Sequence, residues 1–210
     1  MTARKLHVDV KASSPHISEL LSLLTRNEDY RACPKGSKLF FRHKGEAVCH
    51  FVRRGNTLLS RIDDTFSIGV LTAPAAMGFT QPTCEHLYLR TLEACDIATL
   101  PYERVMALVE EKKAWALMAK HIMFITNKLF LYSEMLTAPT SFEILRYQLQ
   151  MLILEPESVR NSMSAYQYIL DRTRLSRSSI MKMLAELKKG EYIELENGKL
   201  IAIHHLPARF

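Results

Sequence analysis

Apolar positions along this chain change their rhythm several times, and each rhythm predicts a different element. After Ser13-Ser14-Pro15, residues Ile17, Leu20, Leu21, Leu23 and Leu24 recur at helical spacing, which predicts a helix within 13–27. From Gly36 to Leu100 the runs shorten to strand length: 39–41, 48–52, 57–62, 66–71, 87–92 and 96–100. Lys44-Gly45-Glu46, Arg54-Gly55-Asn56 and Asp63-Asp64 supply turns between them, so an antiparallel sandwich or roll is expected. From Pro101 to Leu136 only the first residue is Gly or Pro, which predicts one helix of roughly 50 Å at 1.5 Å per residue. Alternate steps of three and four from Val105 pass through Leu108, Trp115, Ala119, Ile122 and Leu129, as a coiled-coil seam requires. Val109, Leu117, Met118, Phe124, Phe130 and Leu131 make other faces apolar too, so this helix must be covered on more than one side. One side suits the roll and another the same helix of a second chain, giving a homodimer; the competing arrangement is a core helix in a monomer.

Ala138-Pro139-Thr140-Ser141 breaks that pattern and caps a new helix over 142–154, which Pro156 ends. The break divides the chain into an expected sensor-like domain, 1–137, and a second domain, 138–210. Within the second, two short apolar helical patterns flank the polar turn of Arg172-Thr173-Arg174-Leu175-Ser176. Two strand-like runs then meet at Asn197-Gly198, whose residues tolerate the positive φ of a tight hairpin. Two helices followed by a hairpin predict a winged helix-turn-helix.

Composition narrows the picture without naming a function. The chain of 210 residues carries a formal charge of +6. Between Arg160 and Phe210 there are nine Lys or Arg against five Asp or Glu, so a surplus of four sits beside the helix-turn-helix. Met1 to Asp9 shows no export signal, and the most apolar stretch, 114–136, is interrupted by Lys120, His121, Asn127, Lys128 and Glu134, so no membrane span is expected. Cys33, Cys49, Cys84 and Cys95 form no C-x-x-C pair and are expected to be reduced thiols of a cytoplasmic protein. No P-loop, G-x-S-x-G, H-E-x-x-H or dinucleotide-binding glycine run is present, so neither catalytic residues nor an enzyme activity is assigned.

The order of helix, β-roll, long helix and winged helix resembles the Crp/Fnr superfamily of bacterial transcription regulators. The specific part is Arg174-Leu175-Ser176-Arg177-Ser178-Ser179-Ile180-Met181-Lys182-Met183-Leu184, which looks like that superfamily's turn and recognition helix. Thr173 to Ser178, with Lys189-Gly190-Glu191-Tyr192-Ile193 and Gly198-Lys199-Leu200-Ile201, is similar to the IprA-type subgroup, named for inhibiting hydrogen peroxide resistance. The resemblance implies an α+β protein: an N-terminal cyclic-nucleotide-binding-like roll, a long central dimerisation helix and a C-terminal winged helix-turn-helix. It further implies a transcription factor of the oxidative stress response that binds double-stranded operator DNA as a homodimer, with RNA polymerase as a further partner.

At 100° per residue the recognition helix turns Ile180, Met183, Leu184 and Leu187 inward and Ser178, Lys182, Ala185 and Lys189 outward. Arg177, at the flank of the first turn, can donate two hydrogen bonds to guanine O6 and N7, and Lys182 can reach a base edge or a phosphate. Ser176 caps the helix; Arg174, Ser179 and, from the wing, Lys199 are candidate phosphate ligands. The catabolite-activator branch carries Arg-Glu and a second arginine where this chain has Arg177, Ser178 and Lys182, which implies a different operator. Cyclic-nucleotide sensors of the superfamily use a Gly-Glu pair; here Phe79 follows Gly78 and no arginine appears between Gly78 and Arg90, so cyclic AMP dependence is not expected. The scattered cysteines and His43, His50 and His86 do not form a ligand pattern, and no metal or cofactor is expected. Cys33, near Arg31 and Lys35, and Cys84, in a loop-like stretch, are candidates for a redox-active thiol, against the plainer reading of inert packed cysteines. The alternative function is a redox or ligand sensor that acts through a protein partner instead of DNA.

Overall fold

The computed structural model describes residues 12–64, 66–81 and 83–207; Met1 to Asp9, read above for an export signal, lie outside them. The described residues divide into two compact units, one over Ser13–Asn127 and one from Lys128 onward. No helix among the described residues is long and apolar enough to cross a membrane.

In the first unit, α1 (Ile17–Leu24) buries Ile17, Leu20, Leu21 and Leu24, the face its spacing dictates. His16, not a serine, occupies the cap position, and Thr25 is already extended. Nine strands follow: β1 (Tyr30–Cys33), β2 (Lys38–Phe40), β3 (Arg42–His43), β4 (Glu46–Arg54), β5 (Asn56–Arg61), β6 (Ser67–Thr72), β7 (Ala75–Met77), β8 (Leu87–Thr91) and β9 (Cys95–Pro101). They form two antiparallel sheets, β1-β9-β4-β3 with β7 also on β4, and β2-β8-β5-β6. Three strands, β1, β3 and β7, have no counterpart in the apolar rhythm. Tyr-Arg-Ala-Cys, Arg-His and Ala-Ala-Met are too short and mixed to alternate; pairing with distant β9 and β4 holds β1 and β7, and a tight hairpin to β4 holds β3. Gly78 follows β7 at φ +109, where a Cβ would lie 2.7 Å from the Val48 carbonyl oxygen, so only glycine lets this crossing come so close to β4.

The single helix expected from Pro101 to Leu136 is in fact two, α2 (Tyr102–Glu111) and α3 (Trp115–Leu136). Lys113 takes a left-handed φ of +54. Its amide donates to the Glu110 carbonyl at 3.0 Å, and the Ala114 amide donates to Val109 at 2.8 Å. This is the Schellman pattern, completed by the buried apolar pair Val109 and Ala114. The pattern ordinarily uses glycine at the left-handed position; a lysine there left no signal of a stop.

In the second unit, α4 (Ser141–Ile153) starts with a capping box: Thr140 Oγ1 accepts from the Glu143 amide at 3.1 Å, and the Glu143 carboxylate accepts from the Thr140 amide at 3.2 Å. After α5 (Glu157–Arg160) come α6 (Ala165–Leu170), α7 (Arg177–Lys189) and the hairpin β10 (Ile193–Glu196) and β11 (Lys199–Ile203). Leu145, Leu149, Leu152, Tyr168, Ile169, Ile180, Leu184, Leu187, Ile193 and Leu200 are buried in one core, so α4, α6, α7 and the hairpin form one cooperative module.

Candidate nucleic-acid interface

The turn before α7 is fixed from inside. Thr173 is buried; its hydroxyl donates to the Ile169 carbonyl at 2.9 Å and accepts from the Leu175 amide at 3.3 Å. Ser176 then takes extended backbone and its Oγ accepts from the Ser179 amide at 3.1 Å, the N-cap role its sequence position predicts. The same oxygen lies 3.0 Å from Ser178 Oγ and donates to Ser179 Oγ at 2.8 Å, so three serine hydroxyls share one network at the helix start. Helix geometry leaves the Arg177 and Ser178 amides without intrahelical carbonyls, a positive end suited to an anion.

Along α7, Ile180, Leu184 and Leu187 are buried and Met183 packs against the same core. Arg177, Ser178, Lys182, Ala185 and Lys189 are exposed, Ser179 is half-buried, and Arg174 is exposed in the turn. The exposed side of the helix therefore holds three long cations, a hydroxyl and a methyl. The exposure of Met181, 56%, adds a large apolar side chain between Arg177 and Ala185 that the sequence reading passed over. A methionine that breaks the inward rhythm was the available signal.

The wing turn has φ +49 at Asn197 and +78 at Gly198, the two positive values its type I′ geometry needs. Its carbonyl at Gly198 accepts from the Ala165 amide at 2.8 Å, which ties the wing to the start of α6. Lys199, half-buried, stands opposite Glu196 in the register.

Beneath the turn lies a buried polar cluster with no sequence signature, because Glu155 comes to Tyr168 and Arg172 from the end of another helix. The Tyr168 hydroxyl donates to Glu155 at 2.7 Å. The buried Arg172 guanidinium stacks on the Tyr168 ring at 3.7 Å and donates to the Tyr168 carbonyl at 3.3 Å. Burial raises the Tyr168 and Tyr132 phenols, Tyr132 to about 12, so both stay protonated donors.

The residues expected at a dimer seam separate. Leu108 lies on α2, before the helix break, and packs against the first unit's core, as does Ile122. The break shifts the helical phase, so steps counted from Val105 cannot carry through Lys113. In the first unit Trp115, Ala119 and Met123 are exposed, Met123 at 71%. In the second, Leu129 and Phe130 are exposed, Phe130 at 69%.

Inside the roll, the Phe79 ring packs edge-on to Phe51 at 5.8 Å and to His121 at 5.9 Å. Burial, with His16 as a second cause, lowers His121 to about 4. An aromatic ring and a neutral imidazole thus stand beside Gly78, where a carboxylate would be needed to hold a ribose. Arg90 sits in β8 opposite Lys38 and Leu58. The expected activation of Cys33 by neighbouring cations is not found: burial, then Asp96, raises this thiol. Its neighbour Arg31 turns its guanidinium to the carbonyls of Glu28 and Tyr30. Cys84 is not in an open loop; it is buried in a short 3₁₀ turn (Thr83–His86), 3.3 Å from Thr80 Oγ1.

Comparison with known proteins agrees with this geometry. The winged helix-turn-helix DNA-binding family model matches residues 141–208. An inhibitor of hydrogen peroxide resistance from Salmonella typhimurium is 31% identical over 150 residues, covering 70% of this chain and 72% of that protein. Among solved structures, the c-di-GMP-responsive global regulator CLP of Xanthomonas campestris superposes with a TM-score of 0.67 at 17% identity, covering 90% of this chain and 98% of the other. A Crp/Fnr-family transcriptional regulator from Thermus thermophilus gives a TM-score of 0.62 at 13% identity, covering 81% and 91%. The fold is that of the Crp/Fnr regulators.

Proposed function

Because the chain belongs to the family of the inhibitors of hydrogen peroxide resistance and has the Crp/Fnr fold, we propose that it is a sequence-specific transcription regulator of the peroxide stress response. The observation that carries this reading is the outer face of α7. Arg177, Ser178 and Lys182 stand exposed beside a helix start that the Ser176 cap holds in place. Arg177 supplies the paired donors for a guanine, and the apolar pair Met181 and Ala185 suits a thymine methyl group. Lys199, Arg174 and Ser179 hold the phosphates on either side. Homodimerisation through the exposed stripe of Trp115, Ala119 and Met123 in one unit and Leu129 and Phe130 in the other would bring two winged helices to half-sites about one helical turn apart. A domain boundary near 137, a cytoplasmic location and contact with RNA polymerase belong to the same reading. The Phe79 ring beside Gly78 argues for regulation without cyclic AMP.

The test is duplex binding across a salt series, on sites recovered by genomic footprinting and on random duplex. Regulator behaviour requires tight binding to the footprinted site, with log affinity falling by about 0.9 per log salt for each phosphate neutralised. Equal affinity for both duplexes would reduce the protein to a non-specific binder, and no binding to either would favour the protein-partner reading.

A further inference from the structure

The four cysteines look unrelated in sequence, but antiparallel pairing sets two of them face to face. Cys33 ends β1 and Cys95 begins β9, and they are direct register partners. Directly opposed residues in an antiparallel pair have Cα atoms about 4.5–5.5 Å apart and side chains on the same face. That separation lies within the roughly 4.4–6.8 Å that a disulfide spans. Both side chains pack in one small cluster with Val52 and Ile97, which confirms the shared face.

The two thiols differ in access. Cys95 is buried, its Sγ donating to the Asn56 and Glu93 carbonyls at 3.4 Å. Cys33 is half-buried and lines a surface cleft of about 320 Å³, together with Arg31, Ile97, Thr99 and Arg104. A small oxidant can reach the first sulfur through this cleft, while the second waits one strand away. Cys49 and Cys84 are both buried and do not line this cleft.

We propose that Cys33 and Cys95 are an oxidisable dithiol, which a hydroperoxide converts into an intramolecular disulfide between β1 and β9. The Cys33 sulfur attacks the peroxide; the O–O bond breaks, an S–O bond forms, and the departing oxygen leaves as water or an alcohol with the thiol's proton. The Cys95 sulfur then attacks Cys33; the S–S bond forms, the S–O bond breaks, and the hydroxyl leaves as water with the second proton. Two electrons pass from the sulfurs to the peroxide. Burial raises both thiols, with Asp96 as a further cause at Cys33, so thiolate is scarce at neutral pH and the conversion is slow beside that of an activated thiolate.

The experiment treats the full-length reduced protein with excess hydrogen peroxide, quenches it with an alkylating agent, and reads intact mass and digested peptides. The expected product has lost two hydrogens and resists alkylation at two sites, with the peptides of Cys33 and Cys95 joined. Reductant should restore it, and a Cys49→Ser/Cys84→Ser variant should give the same product. In Cys95→Ser, a sulfenic-acid probe should label Cys33; in Cys33→Ser, Cys95 should stay unmodified. Circular dichroism of each variant guards against misfolding, and the wild-type peptide map stands without them. Four alkylatable cysteines after treatment, a Cys49–Cys84 link, or only links between chains would each overturn the proposal. DNA binding is not read in this experiment, so its result stands apart from the regulator reading.

Discussion

The two units treat their polar side chains in opposite ways. The roll turns many inward: His50, Asn56, Thr57, Ser60, Ser67, Thr91 and His121 are all buried. They serve the fold. The His50 ring bridges Thr99 Oγ1 and the Phe40 carbonyl, each at 2.9 Å, and Thr91 Oγ1 donates to Pro34 at 2.6 Å while accepting from the Ser37 amide at 2.9 Å. The winged helix keeps an apolar interior apart from a few groups under its turn, such as Glu155 and Arg172, and places its cations outside. A domain that turns its polar groups inward has fewer of them to present on its surface, whereas one that places them on an outer helix face is arranged to be read by a partner.

The largest expected effect tests whether the two units work as a pair of chains. The double change Met123→Glu and Phe130→Glu places one carboxylate on the exposed stripe of each unit. It should give a monomer by analytical ultracentrifugation and lower affinity for a two-half-site operator by about 10² or more, since linked binding supplies that gain. A wild-type protein that sediments as a monomer would remove the seam altogether.

Next comes Arg172→Ala, which takes the cation from the buried cluster under the turn. Breaking a buried charged network costs about 3 kcal/mol or more, so thermal or urea unfolding of the winged helix should shift early while the roll keeps its transition. A single unchanged transition would mean the contrast between an apolar and a polar interior has been overdrawn.

Arg177→Ala should weaken operator binding by about 1–3 kcal/mol and relax preference at one base pair in each half-site. Lys199→Ala should weaken operator and random DNA alike and lower the salt slope by roughly one unit. If the two variants behave identically, α7 holds phosphates only.

The roll's inward chemistry predicts a pH effect. Burial lowers His50 and His121 from 6.5 to about 4. The unfolded chain therefore binds more protons than the folded one between those values. Stability is full above about 6.5 and falls with pH toward about 4, by up to about 1.4 kcal/mol per pH unit for each histidine. Denaturant titrations at stepped pH should show this slope in the roll, and His121→Phe should reduce it by about half, leaving the share of His50.

The smallest change expected is Thr140→Ala, which removes half of the α4 capping box and should cost about 1 kcal/mol in the winged-helix transition.

Much of this contrast was legible beforehand, for local reasons. The α4 capping box, the Ser176 cap, the inward face of α7 and the Asn197-Gly198 turn are each encoded within a few residues. What escaped was non-local or broke a habit of sequence. Strand β1 exists because β9 lies beside it, and so does the facing of Cys33 and Cys95. The Glu155–Tyr168–Arg172 cluster joins a helix end, a helix and a turn that are up to 17 residues apart. Activation of Cys33 was inferred from charges next to it in sequence, while the structure sends Arg31 to backbone carbonyls and leaves Asp96 as the charge that matters.

The left-handed Lys113 bears on how such a chain can change length over time. Inside a continuous helix, one inserted residue rotates everything beyond it by about 100° and advances it by 1.5 Å. At Lys112-Lys113-Ala114 the helix has already ended, so an added or lost residue can be taken up by the turn. Insertions and deletions between α2 and α3 should therefore be tolerated here and nowhere else along 102–136, and the two helices can diverge under separate selection.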